Sequence, residues 1–319
     1  MSEKIVGVIG GSGLYGIEGL EDTQTISLKT PFGEPSDLFV AGRLDGVKIV
    51  FLPRHGKGHR IQPSSLNFRA NIYGMKVLGV QWVIAVSAVG SMKETIHPGN
   101  IVIPSQFIDL TKGRPSTFFG DGIVGHVSFA DPVCPVLSEI LFQSVNKLGV
   151  YPVRNSSGTL PPLGTTLRTD PEPKQPGRIS NGVSVHKGGT YLCIEGPQFS
   201  TRAETKVYRS WGVDVIGMTN MPEAKLAREA EMCYSTIAIV TDYDCWNEEA
   251  GDISVGEVLK ILAERTNTAK SAIREAVRLL PETRECVCAS ALKHGIITGK
   301  KMIPERKKKD LEPIIGKYL

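Results

Sequence analysis

Ile5-Val6-Gly7-Val8-Ile9, followed at once by Gly10-Gly11-Ser12-Gly13, reads as a strand that empties into a glycine turn. The same grammar recurs twice. Val47-Lys48-Ile49-Val50-Phe51-Leu52 runs into Pro53-Arg54-His55-Gly56, and Trp82-Val83-Ile84-Ala85-Val86 runs into Ser87-Ala88-Val89-Gly90-Ser91. Parallel sheets bind ligands outside the carboxyl ends of their strands. A glycine turn there exposes backbone N–H groups, and Arg and His add charge and donors. One such end is common. Three in one chain point to a phosphate shared among several strands.

The remainder of the chain sets the frame. It has 319 residues, 41% of them hydrophobic, which is enough for one large core or two smaller ones. No internal repeat interrupts the alternation of short apolar runs with helical patterns, so one α/β domain is expected. No run reaches the length of a membrane span. Met1-Ser2-Glu3-Lys4-Ile5 has no signal-peptide layout, and a cytoplasmic protein with no membrane partner is expected. Net charge is +4, yet residues 293–319 alone carry an excess of five positive charges, so the body is close to neutral. A nucleic-acid binder carries its basic face on the folded body. Here the excess sits around Arg306-Lys307-Lys308-Lys309, which reads as a solvated or frayed basic tail, and no nucleic-acid partner is expected.

Six cysteines are present. Cys134, Cys193, Cys233 and Cys245 are scattered and read as buried, reduced thiols. Cys286-Val287-Cys288 is a close pair whose bridge would be strained. No second Cys or His cluster at ligand spacing accompanies it, so no metal is expected.

Along the chain, residues 23–28 and 37–44 alternate like meander strands. Residues 63–78 read as a helix, 100–109 as a strand region, and 134–148 as a helix. Residues 152–187 are rich in Pro and Gly, lack any apolar period and read as a surface insertion, since strand and helix grammar resumes afterwards. A strand at 189–194 ends at Glu195-Gly196-Pro197. Thr201-Arg202-Ala203-Glu204 has the form of a capping box opening a helix. A short strand at 214–218, a helix at 222–232 and a very apolar strand at 233–241 follow. A long amphipathic helix covers 255–280, with Val255, Val258, Leu259 and Leu262 on one face.

The chemistry concentrates at strand ends. Gly11-Ser12-Gly13-Leu14-Tyr15-Gly16 spells a dinucleotide fingerprint, but no helical period follows it, so a nicotinamide-dependent oxidoreductase is the weaker reading. Arg54 can offer two parallel hydrogen bonds to phosphate, and His55 can donate from one ring nitrogen. Asp242 and Asp244 stand at alternate positions of an extended segment and point to one side. A partly desolvated Asp242 would hold a proton near neutral pH and suit an anionic leaving group. Glu195 is a further strand-end carboxylate that reads equally well as structural. Phosphorolysis of an N-glycoside unites these parts: phosphate attacks the anomeric carbon, and the base leaves with acid assistance. A hydrolase using water, or a silent nucleoside-binding protein, is the competing reading.

Jointly, Gly10-Gly11-Ser12-Gly13-Leu14, Pro53-Arg54-His55-Gly56, Asn67-Phe68-Arg69-Ala70-Asn71-Ile72, the run from Glu195-Gly196-Pro197 to Glu204, Gly217-Met218-Thr219-Asn220 and Thr241-Asp242-Tyr243-Asp244-Cys245-Trp246 resemble the trimeric purine nucleoside phosphorylase family, in its methylthioadenosine-cleaving branch. The resemblance implies a single α/β domain, with a mixed, twisted and partly barrel-like β-sheet flanked by helices. It implies reversible phosphorolysis of S-methyl-5′-thioadenosine to adenine and S-methyl-5-thio-α-D-ribose 1-phosphate, a homotrimer, and no cofactor or metal, inorganic phosphate being a co-substrate. A broader purine nucleoside phosphorylase acting on adenosine, inosine or methylthioinosine is the alternative. The residues implied are Ser12, Arg54, His55, Ser87, Ala88 and Thr219 for phosphate. Met218 would lie under the ribose, and Phe199, Ser200, Asp242 and Asp244 would surround the base. Val255 would stand near the alkylthio pocket, and His126 would be lent to a neighbouring subunit. Asp242 further implies adenine over hypoxanthine.

Overall fold

The structure, a computed structural model, describes residues 3–148, 151–153, 184–250 and 254–319, without the side chains of Ser12, Tyr15 and 151–153. Its strands in chain order are β1 (Ile5–Gly10), β2 (Leu20–Ile26), β3 (Phe39–Leu44), β4 (Val47–Pro53), β5 (Trp82–Ser91) and β6 (Ile101–Ile103). They continue with β7 (Gln106–Asp109), β8 (Tyr151–Val153), β9 (Ser184–Lys187), β10 (Thr190–Cys193), β11 (Val215–Gly217) and β12 (Cys233–Asp242). The helices are α1 (Phe68–Val77), α2 (Pro135–Lys147), α3 (Arg202–Ser210), α4 (Glu223–Glu229), α5 (Val255–Leu279), α6 (Glu305–Asp310) and α7 (Glu312–Ile315).

The three apolar runs that end in polar turns do lie together. β1 is parallel to β4 on one side and to β5 on the other, and β12 is parallel to β5. The order β4-β1-β5-β12 therefore sets four carboxyl ends in a row. β1 and β12 are buried along almost their whole length because both faces of the sheet are covered. One apolar layer packs α1 and α4 on the sheet, with Leu311, Ile314 and Ile315 from the C-terminus. The other packs α2 and the second half of α5.

β5 belongs to two surfaces. Most of it pairs with β12, but Gly90 and Ser91 also face β11, which is antiparallel to β5 and carries β10 and then β7 in parallel. The β5–β12 register shifts between Val240 and Asp242. Such an irregularity bends a strand and opens the sheet. The sheet is mixed and flanked by helices, as the resemblance implied, and it branches at β5, which pairs with both β12 and β11.

Several local readings hold. Thr201 and Glu204 exchange both hydrogen bonds of a capping box at the start of α3. After the glycines 11–16 comes a single turn and then β2, antiparallel to β3, so the crossover helix of a dinucleotide fold is missing there.

Others are corrected. The helix expected over 63–78 begins at Phe68, because a short turn at Pro63–Ser65 and the Asn67 cap precede it. The ends of the 152–187 insertion belong to the sheet, with β8 and β9 paired in parallel, while residues 154–183 lie outside the described residues. The basic tail is not frayed. Leu311, Ile314 and Ile315 are fully buried, and Tyr318 Oη donates to Glu231 at 2.5 Å. The charge count passed over this apolar spacing of three and four residues. The cysteines are not scattered either, since Cys134 and Cys233 lie beside Cys286 and Cys288.

Candidate active site

A cavity of about 740 Å³ opens over the row of strand ends. Arg54, His55, Ser87, Ala88 and Thr219 line it, as do Met218, Phe199, Ser200, Asp242, Asp244 and Val255. Ser12 stands between Gly11 and Gly13, which also line it, but its side chain is outside the described part. His126 does not reach this cavity. It is exposed on a segment whose N–H donates to Gly295. From β4 to β12 is three inter-strand steps, or about 14 Å. That span suits a phosphate, a sugar and a base in sequence.

At the β4 end, Arg54 is buried and its fork is taken. Nε and Nη2 bind the two oxygens of Glu223 at 2.8 and 2.9 Å, Nη1 donates to Val86 at 2.9 Å, and Nη2 donates again to Ile9 at 3.2 Å. Four of its five N–H groups are thereby engaged among the described residues. The expected two-pronged grip on phosphate is therefore replaced by one remaining Nη1 donor on a rigid guanidinium. Burial opposes the Arg54 charge, but Glu223 outweighs it and holds the group protonated.

His55 also departs from the sequence reading. Its Nδ1 donates to the Ile61 carbonyl at 2.8 Å, so the proton-bearing nitrogen is spent internally. Burial, with Arg54 and His59 beside it, holds the ring down at about 4 against the Ile61 bond. The neutral ring then offers Nε2 as an acceptor, suited to the hydroxyl of a monoprotonated phosphate.

A hydroxyl cluster follows. Ser87 Oγ lies 3.1 Å from Thr219 Oγ1 and 3.3 Å from the Tyr191 hydroxyl. Tyr191 was missed by the sequence reading. Its strand alternation looks like core, and only the absence of a side chain at Gly217 makes room for its hydroxyl. Arg114 was missed too. It donates to Met218 O and Met221 O, both at 2.8 Å, and pairs with Glu195 at 3.1 Å. Glu195 is thus structural, holding the loop that presents Met218. Gly196, in the left-handed region at φ 67°, leaves the space that the Met218 sulfur occupies.

At the β12 end the two carboxylates differ. Asp242 Oδ2 accepts from Thr241 Oγ1 at 2.7 Å, and Oδ1 accepts from the Asp244 N–H at 2.8 Å. Burial raises its pKa while these two bonds oppose the rise. Asp244 Oδ2 and Ser200 Oγ are both buried with no hydrogen-bond partner among the described residues. Burial pushes Asp244 up to about 6, with the nearby Ser200 hydroxyl opposing and the Asp242 charge adding. The proton expected on Asp242 therefore fits Asp244 better. Asp242 is the better-supported anion.

The remaining wall is apolar. Val255, Val258, Leu259 and Leu262 on the first turns of α5 face the cavity, and Val255 and Leu259 are about 60% exposed. The sequence showed this apolar stripe, but not that it lines a cavity instead of packing into the core.

The sequence model of the phosphorylase superfamily matches residues 5–278. An S-methyl-5′-thioadenosine phosphorylase of Geobacter sulfurreducens is 54% identical over 318 residues, spanning 99% of this chain and 100% of its own. The crystal structure of a methylthioadenosine phosphorylase from an Antarctic soil metagenomic library is 42% identical, with a TM-score of 0.85 over 98% of this chain and 99% of its own. A mutant adenosine/methylthioadenosine phosphorylase from Schistosoma mansoni, solved in complex with methylthioadenosine, is 36% identical, with a TM-score of 0.74 over 87% of this chain and 91% of its own. The chain belongs to the phosphorylase superfamily, in the branch of the S-methyl-5′-thioadenosine phosphorylases.

Proposed function

We propose that this pentosyltransferase catalyses the reversible phosphorolysis of S-methyl-5′-thioadenosine to adenine and S-methyl-5-thio-α-D-ribose 1-phosphate, within the salvage of purine and methionine. The observation that carries the reading is that Arg54 and Asp244 open into one cavity. Phosphate binds to the Arg54 Nη1 donor, the Ser87 and Thr219 hydroxyls, the Ala88 backbone and the Ser12 turn, with His55 Nε2 accepting a hydrogen bond from its hydroxyl. Met218 lies under the ribose. As the C1′–N9 bond breaks, the phosphate anion stabilises the oxocarbenium charge, and a phosphate oxygen bonds C1′. Protonated Asp244 gives its proton to purine N7, which neutralises the departing base. Ionised Asp242 accepts from the 6-amino group, and Phe199 and Ser200 close around the ring. A 6-oxopurine would set an acceptor against that carboxylate, so adenine is favoured over hypoxanthine. No cofactor or metal takes part in the reaction. The apolar turns of α5 around Val255 receive the methylthio group.

The wider arrangement belongs to the same proposal. The enzyme is a cytoplasmic homotrimer, and His126 completes the site of a neighbouring subunit. Its exposure and its place outside the lining of its own chain's cavity support that assignment. No helix among the described residues is long and apolar enough to cross a membrane. Adenine release from S-methyl-5′-thioadenosine with and without inorganic phosphate tests the reaction. Release only with phosphate is expected, and equal release in its absence would overturn phosphorolysis in favour of hydrolysis.

A further inference from the structure

We infer that Cys134, Cys233, Cys286 and Cys288 form a tetrathiolate site for one structural zinc ion. Their four Sγ atoms all lie within 4.8 Å of one another. Some point is then no more than about 3 Å from every sulfur, and small rotations bring all four to the Zn–S distance of about 2.3 Å. Four free thiols gathered this closely, with Cys233 Sγ and Cys286 Sγ 3.2 Å apart, supply the ligand set of a tetrahedral cage. Two disulfides would instead draw them into separate pairs. The spacing is too tight for a cluster of several irons, and four soft ligands in a tetrahedron select zinc over magnesium or calcium.

The ligands come from three places in the fold. Cys134 caps the start of α2, and Cys233 is the first residue of β12. Cys286 precedes the turn Val287–Ser290, and Cys288 lies within it. Three of the four are buried. Cys134 and Cys233 are far in sequence from each other and from the Cys286–Cys288 pair, which is why ligand spacing gave no warning.

All four tetrahedral positions are filled by protein, so the site holds structure and does no chemistry. It ties the segment after α5, and with it the C-terminal helices, to the sheet. Cys233 and Asp242 are opposite ends of β12, about 30 Å apart, so the ion is remote from the reacting atoms.

The test uses the whole protein, produced in zinc-supplemented cells and purified under reducing conditions without chelator. Elemental analysis is expected to find one zinc per chain, with the four thiols titrating only after denaturation. Cobalt(II) in its place should give the intense visible bands of a tetrahedral thiolate complex. Stripping zinc should lower the melting temperature and restoring it should reverse the loss, while turnover measured well below both temperatures changes less than about twofold. Cys286→Ser should lose at least about tenfold in zinc affinity, and Cys286→His, which keeps a ligand, should recover part of it. A metal-free chain with all four thiols free, iron in place of zinc, or disulfides among these cysteines would each overturn the inference.

Discussion

At the scale of single residues, Asp244 sets the pH response. Its pKa is about 6 in the folded chain against an ordinary 3.8, so the folded state binds the extra proton between those values. The stability linked to that proton is complete below about pH 4 and is lost as pH rises through about 6, a difference of about 3 kcal/mol at most. Turnover should follow the same group, declining on the alkaline side as the protonated form disappears. Asp244→Asn should remove that alkaline limb, cut kcat on S-methyl-5′-thioadenosine by about 100-fold or more, and destabilise less at pH 8 than at pH 5. A pH–rate profile on both proteins checks it, and an unchanged limb in the variant would return the proton to Asp242. Glu223 invites a second measurement. Glu223→Gln leaves Arg54 buried without its counter-charge, and should cost about 3 kcal/mol in urea melts. Phosphate should restabilise this variant more than the parent, because the anion meets the stranded charge. Arg54, His55 and the two aspartates were legible because charged residues directly follow apolar strands. Glu223 and Tyr191 were not: one is an acid in a short alanine-rich helix, the other an aromatic in an ordinary alternation. Their partners at the site, Arg54 and Ser87, come from more than 100 residues away.

At the scale of elements, α5 has two halves with different neighbours. Ala269, Ala272, Ile273, Ala276 and Val277 are packed into the core, whereas Val255 and Leu259 stand open to the cavity. Helical periodicity reports which face is apolar but not what lies under it, so the stripe read from sequence described core and ligand wall in the same terms. Local signals fared better. The α3 capping box needs only residues 201–204, and it formed as written. Because Leu259 supports little of the core, Leu259→Ser should leave the melting temperature nearly unchanged. It should lower the kcat/KM ratio for S-methyl-5′-thioadenosine over adenosine by about tenfold, the effect of losing an apolar contact of methyl size or more. Parallel kinetics on the two nucleosides decide it, and an unaltered ratio would move the methylthio group away from this wall.

At the scale of the whole molecule, the C-terminal residues couple the site to the rest of the fold. α7 packs against α1, α1 against α4, and α4 carries the Glu223 that holds Arg54. Leu311, Ile314 and Ile315 each bury an aliphatic side chain worth about 1.5–3 kcal/mol, partly offset by the entropy of ordering the segment. Glu231 adds a polar dependence. Its buried carboxylate accepts from Tyr318 Oη at 2.5 Å and from the Leu292 N–H at 2.9 Å, and pairs with Lys317 at 2.5 Å. Removing residues 311–319 takes away two of those three partners and the apolar cover together. The truncated chain should lose at least about 3 kcal/mol in urea denaturation, and its KM for phosphate should rise as the α4 layer loosens. Two milder variants separate the contributions: Ile315→Ala should cost about 2–5 kcal/mol through its cavity, and Tyr318→Phe about 1–3 kcal/mol through Glu231. If truncation left both the denaturation midpoint and the phosphate KM at their parental values, the tail would be a passenger on the surface, and the layer from α7 to Glu223 would carry no strain from it to Arg54.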